Sequence, residues 1–243
     1  MTTLRLAADE PLAGAVTEAI RAGNVCGLRE LLVENSGLAT ARITDAKGCE
    51  RSLLHIATDW PGHLPRVAET IAALAEHGAD VNARIIGPHT ETPLHWAASC
   101  DDVAALDALL DRDADLEAVG AVIGGGTPMA DAVAFAQWNA ARRLLERGAL
   151  TNLWQSAALG LMDRVVKECS EREPMAQEIT EAFWCACHGG QRESAEFLLN
   201  RGADRNWIGW DRLTPAGAAR RSGALELAAW LESGHAAAGK LDR

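Results

Sequence analysis

The segment Thr92-Pro93-Leu94-His95-Trp96-Ala97-Ala98 constrains the fold most strongly, because the chain repeats it in weaker form. Copies stand at Ser52-Leu53-Leu54-His55-Ile56-Ala57, Thr127-Pro128-Met129-Ala130-Asp131-Ala132 and Thr214-Pro215-Ala216-Gly217-Ala218-Ala219. A second signal follows a Leu-rich stretch each time, at Gly78-Ala79-Asp80, Asp113-Ala114-Asp115, Gly148-Ala149-Leu150 and Gly202-Ala203-Asp204. The two recur with a period of about 33 residues, the mark of stacked supersecondary units that bury a continuous core only against their neighbours.

Within the 243 residues Val, Ile and Phe form no alternating runs, so the reading is an all-α chain. A formal net charge of −11 disfavours nucleic-acid backbones and favours basic partners. No stretch reaches the roughly 20 apolar residues of a membrane span, and the first ten residues lack a signal-peptide pattern. The six scattered cysteines read as free thiols of a reducing cytosol. These features predict a cytoplasmic monomer with no membrane, nucleic-acid, metal or cofactor requirement.

Over Thr92 to Ala98 the chain resembles the ankyrin repeat, and the likeness extends over nearly the whole sequence, as in single-domain arrays of the bacterial type. The resemblance implies an all-α repeat solenoid whose units each have a short β-hairpin finger and two antiparallel helices. In each unit Thr caps the inner helix and Pro occupies its first turn. About seven units can be laid out in one domain spanning 1–243. An N-terminal cap covers 1–44, with helices around Leu12–Ala22 and Val25–Val33. Internal repeats cover 45–207 and open at Ser52, Thr92, Thr127, Thr151 and Glu181. A C-terminal cap covers 208–235 and opens at Thr214, and a disordered tail covers 236–243.

Two places break the period. From Ala97 to Asp113 is 16 residues, whereas Ala57 to Gly78 is 21, so the second repeat carries an insertion of five residues around Asp59-Trp60-Pro61-Gly62-His63-Leu64-Pro65. Conversely, Thr151 follows Leu150 directly, which shortens the finger between the fourth and fifth repeats and predicts uneven curvature there.

Residues that the repeat does not demand are the informative ones. Of eight tryptophans, Trp138, Trp154, Trp184 and Trp230 fall at packing positions, while Trp60, Trp96, Trp207 and Trp210 fall on the insertion, the groove and the last finger. His55 and His95 take the structural place of the motif, His77 falls near the end of an outer helix and His235 in the tail, leaving His63, His89 and His188. Asp101 takes a left-handed turn position and Asp102 a helix-cap position. The groove place of Trp96 is filled elsewhere by Ile56, Asp131, Gln155, Cys185 and Ala218. The place three residues later is filled by Asp59, Ser99, Ala134, Ala158, His188 and Arg221.

Neighbouring helices stand roughly 8–10 Å apart, which separates these residues into two patches. The first holds Asp59, Trp60, His63, His89, Trp96, Ser99 and Asp131. The second holds His188, Trp207, Trp210, Asp211 and Arg221, with Gln155 between. Cys185-x-Cys187-His188 does not converge on one ion when wound on a helix. Gly124-Gly125-Gly126 lacks the Lys-Ser/Thr of a phosphate loop. The reading is a binding module for a protein or peptide with a basic segment, held in the concave groove and by the fingers. The alternative is a small-molecule site over repeats two to four, roofed by the insertion. There Asp59, His63, His89 and Asp131 would perform acid/base chemistry in hydrolysis, isomerisation or cyclisation.

Overall fold

The computed structural model describes residues 3–233; His235 and the predicted tail 236–243 lie outside them. The described chain divides into two compact units, one ending at Leu150 and one beginning at Thr151. The boundary falls where the sequence shortens a finger.

In the first unit, helices α1 (Pro11–Arg21), α3 (Leu53–Ala57), α5 (Pro93–Ser99) and α7 (Pro128–Ala134) form an inner row. Helices α2 (Val25–Glu34), α4 (Val67–Glu76), α6 (Val103–Leu110) and α8 (Trp138–Glu146) form an outer row. Each inner helix touches the next inner one and its own outer partner, and the outer helices touch in the same order. Small residues permit this approach: Ala57, Ala97, Ala98 and Ala132 are fully buried between helices.

Polar pins fix the spacing. Ser52 caps α3, and His55 Nδ1 lies 2.8 Å from the Ser52 hydroxyl. In the next pair, His95 Nδ1 accepts from the Thr92 N–H at 3.1 Å. The opposite nitrogens therefore carry the proton, and they face the carbonyls of Glu91 at 3.1 Å and Gly126 at 3.3 Å in the following finger. Burial pushes these rings down to about 3 for His55 and about 4 for His95, so both are neutral spacers between helix pairs. Outside, Arg143 of α8 and Arg147 just past its end grip Asp107 of α6, each at 2.8 Å.

One strand goes beyond the expected hairpin fingers, β1 (Arg5–Ala7), which adds to the edge of a finger formed by β2 (Arg42–Thr44) and β3 (Glu50–Ser52). β1 runs parallel to β2, which runs antiparallel to β3. Three-residue strands are too short to show alternation, and β1 forms only because its partner is brought back 37 residues later in register, Arg5 opposite Arg42.

The link between α3 and α4 runs from 58 to 66, against 100 to 102 between α5 and α6. Its contacts run to the turns of the neighbouring helix pairs. Gly62, at φ +76°, has room only for hydrogen, since a Cβ there would meet Cys100 Cβ at 2.7 Å. The His63 N–H donates to Asp102 Oδ2 at 2.6 Å, while Asp102 Oδ1 caps α6 by accepting from Ala105 N–H. On the other side Gly23 lies under the Pro65 carbonyl, where a Cβ would stand 2.3 Å from the oxygen.

The second unit comprises α9 (Leu153–Leu159), α10 (Met162–Glu171), α11 (Ala176–His188), α12 (Arg192–Asn200), α13 (Pro215–Arg221) and α14 (Leu225–Glu232). Its core gathers Phe183, Ala182, Ala186, Leu198 and Leu227, with Trp154 and Trp230 packed against it. Two boundaries differ from the sequence expectation. Asn152 rather than Thr151 caps α9, exchanging side-chain bonds with Gln155. Helix α11 begins at Ala176, not Glu181, because Glu178 Oε2 accepts from the Met175 N–H at 2.9 Å and supplies a start without Thr-Pro.

Candidate functional site

The row of positions expected to line an open groove is largely covered. Ile56, Asp131, Gln155, Cys185 and Ala218 are all buried, and Trp96 alone among them keeps partial exposure. Such a buried position suits Ile or Ala and is costly for a carboxylate.

Asp131 is therefore the anomaly of the first unit. It has 0% exposure, and neither carboxylate oxygen has a hydrogen-bond partner. Burial, and then the charge of Glu91, push it up to about 8; the Ile123 N–H pulls the other way without reaching hydrogen-bond geometry. Glu91 is itself 7% exposed and is also pushed up by burial, countered by the Trp96 indole, His89 and the Val122 backbone. Trp96 Nε1 donates to Glu91 Oε2 at 3.3 Å, and its ring meets His55 edge-on at 5.1 Å. Two carboxylates in electrostatic contact thus lie beneath one half-exposed tryptophan.

The remaining members of the first patch are held elsewhere. Asp59 Oδ2 accepts from Arg21 at 3.4 Å and from Arg51 at 3.2 Å. Its Oδ1 accepts from the Trp60 N–H at 3.0 Å. Trp60 is 81% exposed, and His63 and His89 are exposed too. Ser99 turns its hydroxyl back onto the His95 carbonyl at 2.9 Å, a bond within its own helix. Gln155 is occupied by the cap of α9.

The second unit gathers its candidates around Trp184. Its indole N–H donates to the Leu213 carbonyl at 2.8 Å, His188 stacks on it at 5.4 Å, and Trp210 meets it edge-on at 5.3 Å. Trp207 packs edge-on against Trp210 at 5.4 Å. Arg221 bridges Asp211 and the ring of His188. Trp210 remains 47% exposed on top of this stack. Cys185 and Cys187 are buried beside it, and burial pushes both thiols up, away from the reactive thiolate.

Sequence reasoning missed Glu91, Arg21, Arg51 and the anchoring role of Trp184. Glu91 had a signal, since it directly precedes the Thr92-Pro93 start, a place that becomes buried under the next finger. The arginines had none, because their meeting at Asp59 needs α1 and β3 side by side.

Comparison with known proteins agrees with this architecture at its best-formed unit. Residues 89–118, which span α5 and α6, match the family model described as ankyrin repeat. None of the curated proteins matches the chain. Among the described residues, no helix is long and apolar enough to cross a membrane.

Proposed function

We propose, from the premise that this chain carries an ankyrin repeat, that it is an interaction module whose first unit receives a basic segment of a protein partner. Ankyrin repeats typically bind protein partners. In this reading seven helix pairs form ankyrin-type units, four before Leu150 and three after Thr151. The partly exposed Trp96 lines the approach.

The observation that carries the reading is the unpartnered carboxylate of Asp131 buried beside Glu91. Two buried carboxylates in electrostatic contact cannot both ionise without a counter-charge, and Asp131 has no donor of its own. A Lys or Arg side chain delivered past Trp96 supplies the charge and the donors together, and the indole offers it a cation–π surface. The excess of acidic residues over the whole chain adds long-range attraction of the same sign.

The test is selection from a displayed peptide library, with anisotropy measurements on the winners. Wild type is expected to enrich Lys- and Arg-bearing peptides, and Trp96→Ala combined with Glu91→Gln to lose them by at least about tenfold. Equal enrichment by the double variant, or no preference for basic peptides, rejects the reading.

A second reading starts from the same geometry, a buried carboxylate without a partner beside a second one. An acid pushed to about 8 is poised for proton transfer near neutral pH. A panel of chromogenic esters, lactones and glycosides assayed against wild type and Asp131→Asn separates the two readings. Turnover abolished in the variant supports chemistry, and no difference between the two proteins rejects it.

A further inference from the structure

The first unit also holds a cavity of about 620 Å³, beside α1, whose lining includes neither Trp96 nor Asp131. Ala8, Gly14 and Ala22 give it an exposed apolar surface over the nearly buried Ile43 and Ile56, and Thr17, Arg21 and Arg51 give it donors. We propose that this cavity binds a small organic monocarboxylate, its carboxylate held between the guanidinium groups of Arg21 and Arg51 and its apolar body resting on Ala8 and Ala22, above Ile43 and Ile56. The proposal does not depend on the reading of Asp131.

Two features support it. The two guanidiniums converge, since both reach the same oxygen of Asp59, Arg21 at 3.4 Å and Arg51 at 3.2 Å. Each contacts Asp59 through a single nitrogen, although a guanidinium carries five N–H donors in a planar fork that suits a carboxylate.

The cavity lies within the usual range for small-molecule sites, about 300–1,000 Å³. Its charge selects the class of ligand. Two arginines face Asp59 and Glu18, which also lines the cavity, so the wall is close to neutral. A polyanion gains little there, whereas one carboxylate gains a charge-assisted bond from each fork while its body covers apolar wall.

The experiment is NMR titration of full-length protein labelled at the Ile δ1 methyls, using butyrate, hexanoate and benzoate, with hexanol as neutral isostere and inorganic phosphate as an anion without an apolar body. Saturable shifts are expected at Ile43 and Ile56 with hexanoate or benzoate, but not at Ile179 of the second unit. Arg51→Gln and Arg21→Gln should each weaken binding about tenfold, and Glu18→Gln should tighten it. Arg21 has a half-exposed side chain, so its variant tests the idea even if Arg51→Gln fails to fold. The proposal fails if no carboxylate saturates the Ile43 and Ile56 methyls, or if hexanol or phosphate binds as tightly as hexanoate. It also fails if Arg21→Gln keeps full affinity.

Discussion

At the scale of single residues, the titratable groups of the first unit pull stability in opposite directions. Burial and the charge of Glu91 push Asp131 up to about 8 in the folded chain, against an ordinary 3.8 when unfolded. Between those values the native state binds the extra proton, so this residue's contribution is present below pH 3.8 and is lost as pH rises to about 8. Asp131→Asn should remove that loss. Unfolding free energies from denaturation of the variant are expected to match wild type in acid and to exceed it above pH 8 by on the order of a few kcal/mol. A variant less stable than wild type at pH 8.5 would refute the assignment of Asp131 as an uncompensated acid. The buried histidines act oppositely. Their folded values, about 3 and about 4, lie below the ordinary 6.5, so their contribution is full above pH 6.5 and is lost as pH falls toward 4. His95→Asn should flatten the acid limb of a denaturation-against-pH series, and an unchanged limb would contradict its role as a neutral spacer.

Between elements, Asp102 serves two structures with one carboxylate. One oxygen caps α6 and the other anchors the inserted loop through His63 N–H. Asp102→Ala should therefore destabilise the first unit by roughly 1–3 kcal/mol and increase amide exchange at residues 60–66. Asp102→Asn, whose amide oxygen can still accept from Ala105, should recover part of the stability. Exchange confined to α6, with the loop unaffected, would show that the loop is held otherwise. In the second unit Trp184 joins α11 to the last finger through the Leu213 carbonyl and through Trp210. Trp184→Phe keeps a ring but loses the donor, so the finger around Trp207–Trp210 should gain mobility, read as a red shift in tryptophan emission.

For the molecule as a whole, the excess of 34 acidic over 23 basic residues biases which partners it attracts. Affinity for a basic peptide should fall about tenfold between low and physiological salt, chiefly through the association rate. Salt-independent binding would place the recognition on apolar contacts instead. The repeat order was legible because Thr-Pro starts, small pairs and Gly-Ala-Asp ends are local signals that recur. The long α3–α4 link was legible for the same reason, as a departure from a count. The chemistry of the site was less so. Trp96 stood out as a residue the motif does not require, but Glu91 looked like an ordinary finger residue, and Asp131 like an exposed acid of a groove.

Residue types and their spacing by themselves determined the helical pairs, their caps at Ser52, Thr92 and Thr214, and the two interruptions of the period, because each depends on neighbours a few residues away. Only the tertiary structure decided which polar groups lose water. Asp131 becomes buried beside Glu91, and Arg21 and Arg51 meet at Asp59, because different segments of the chain pack over them. Desolvation and charge proximity depend on distance in space, and sequence separation does not encode that distance.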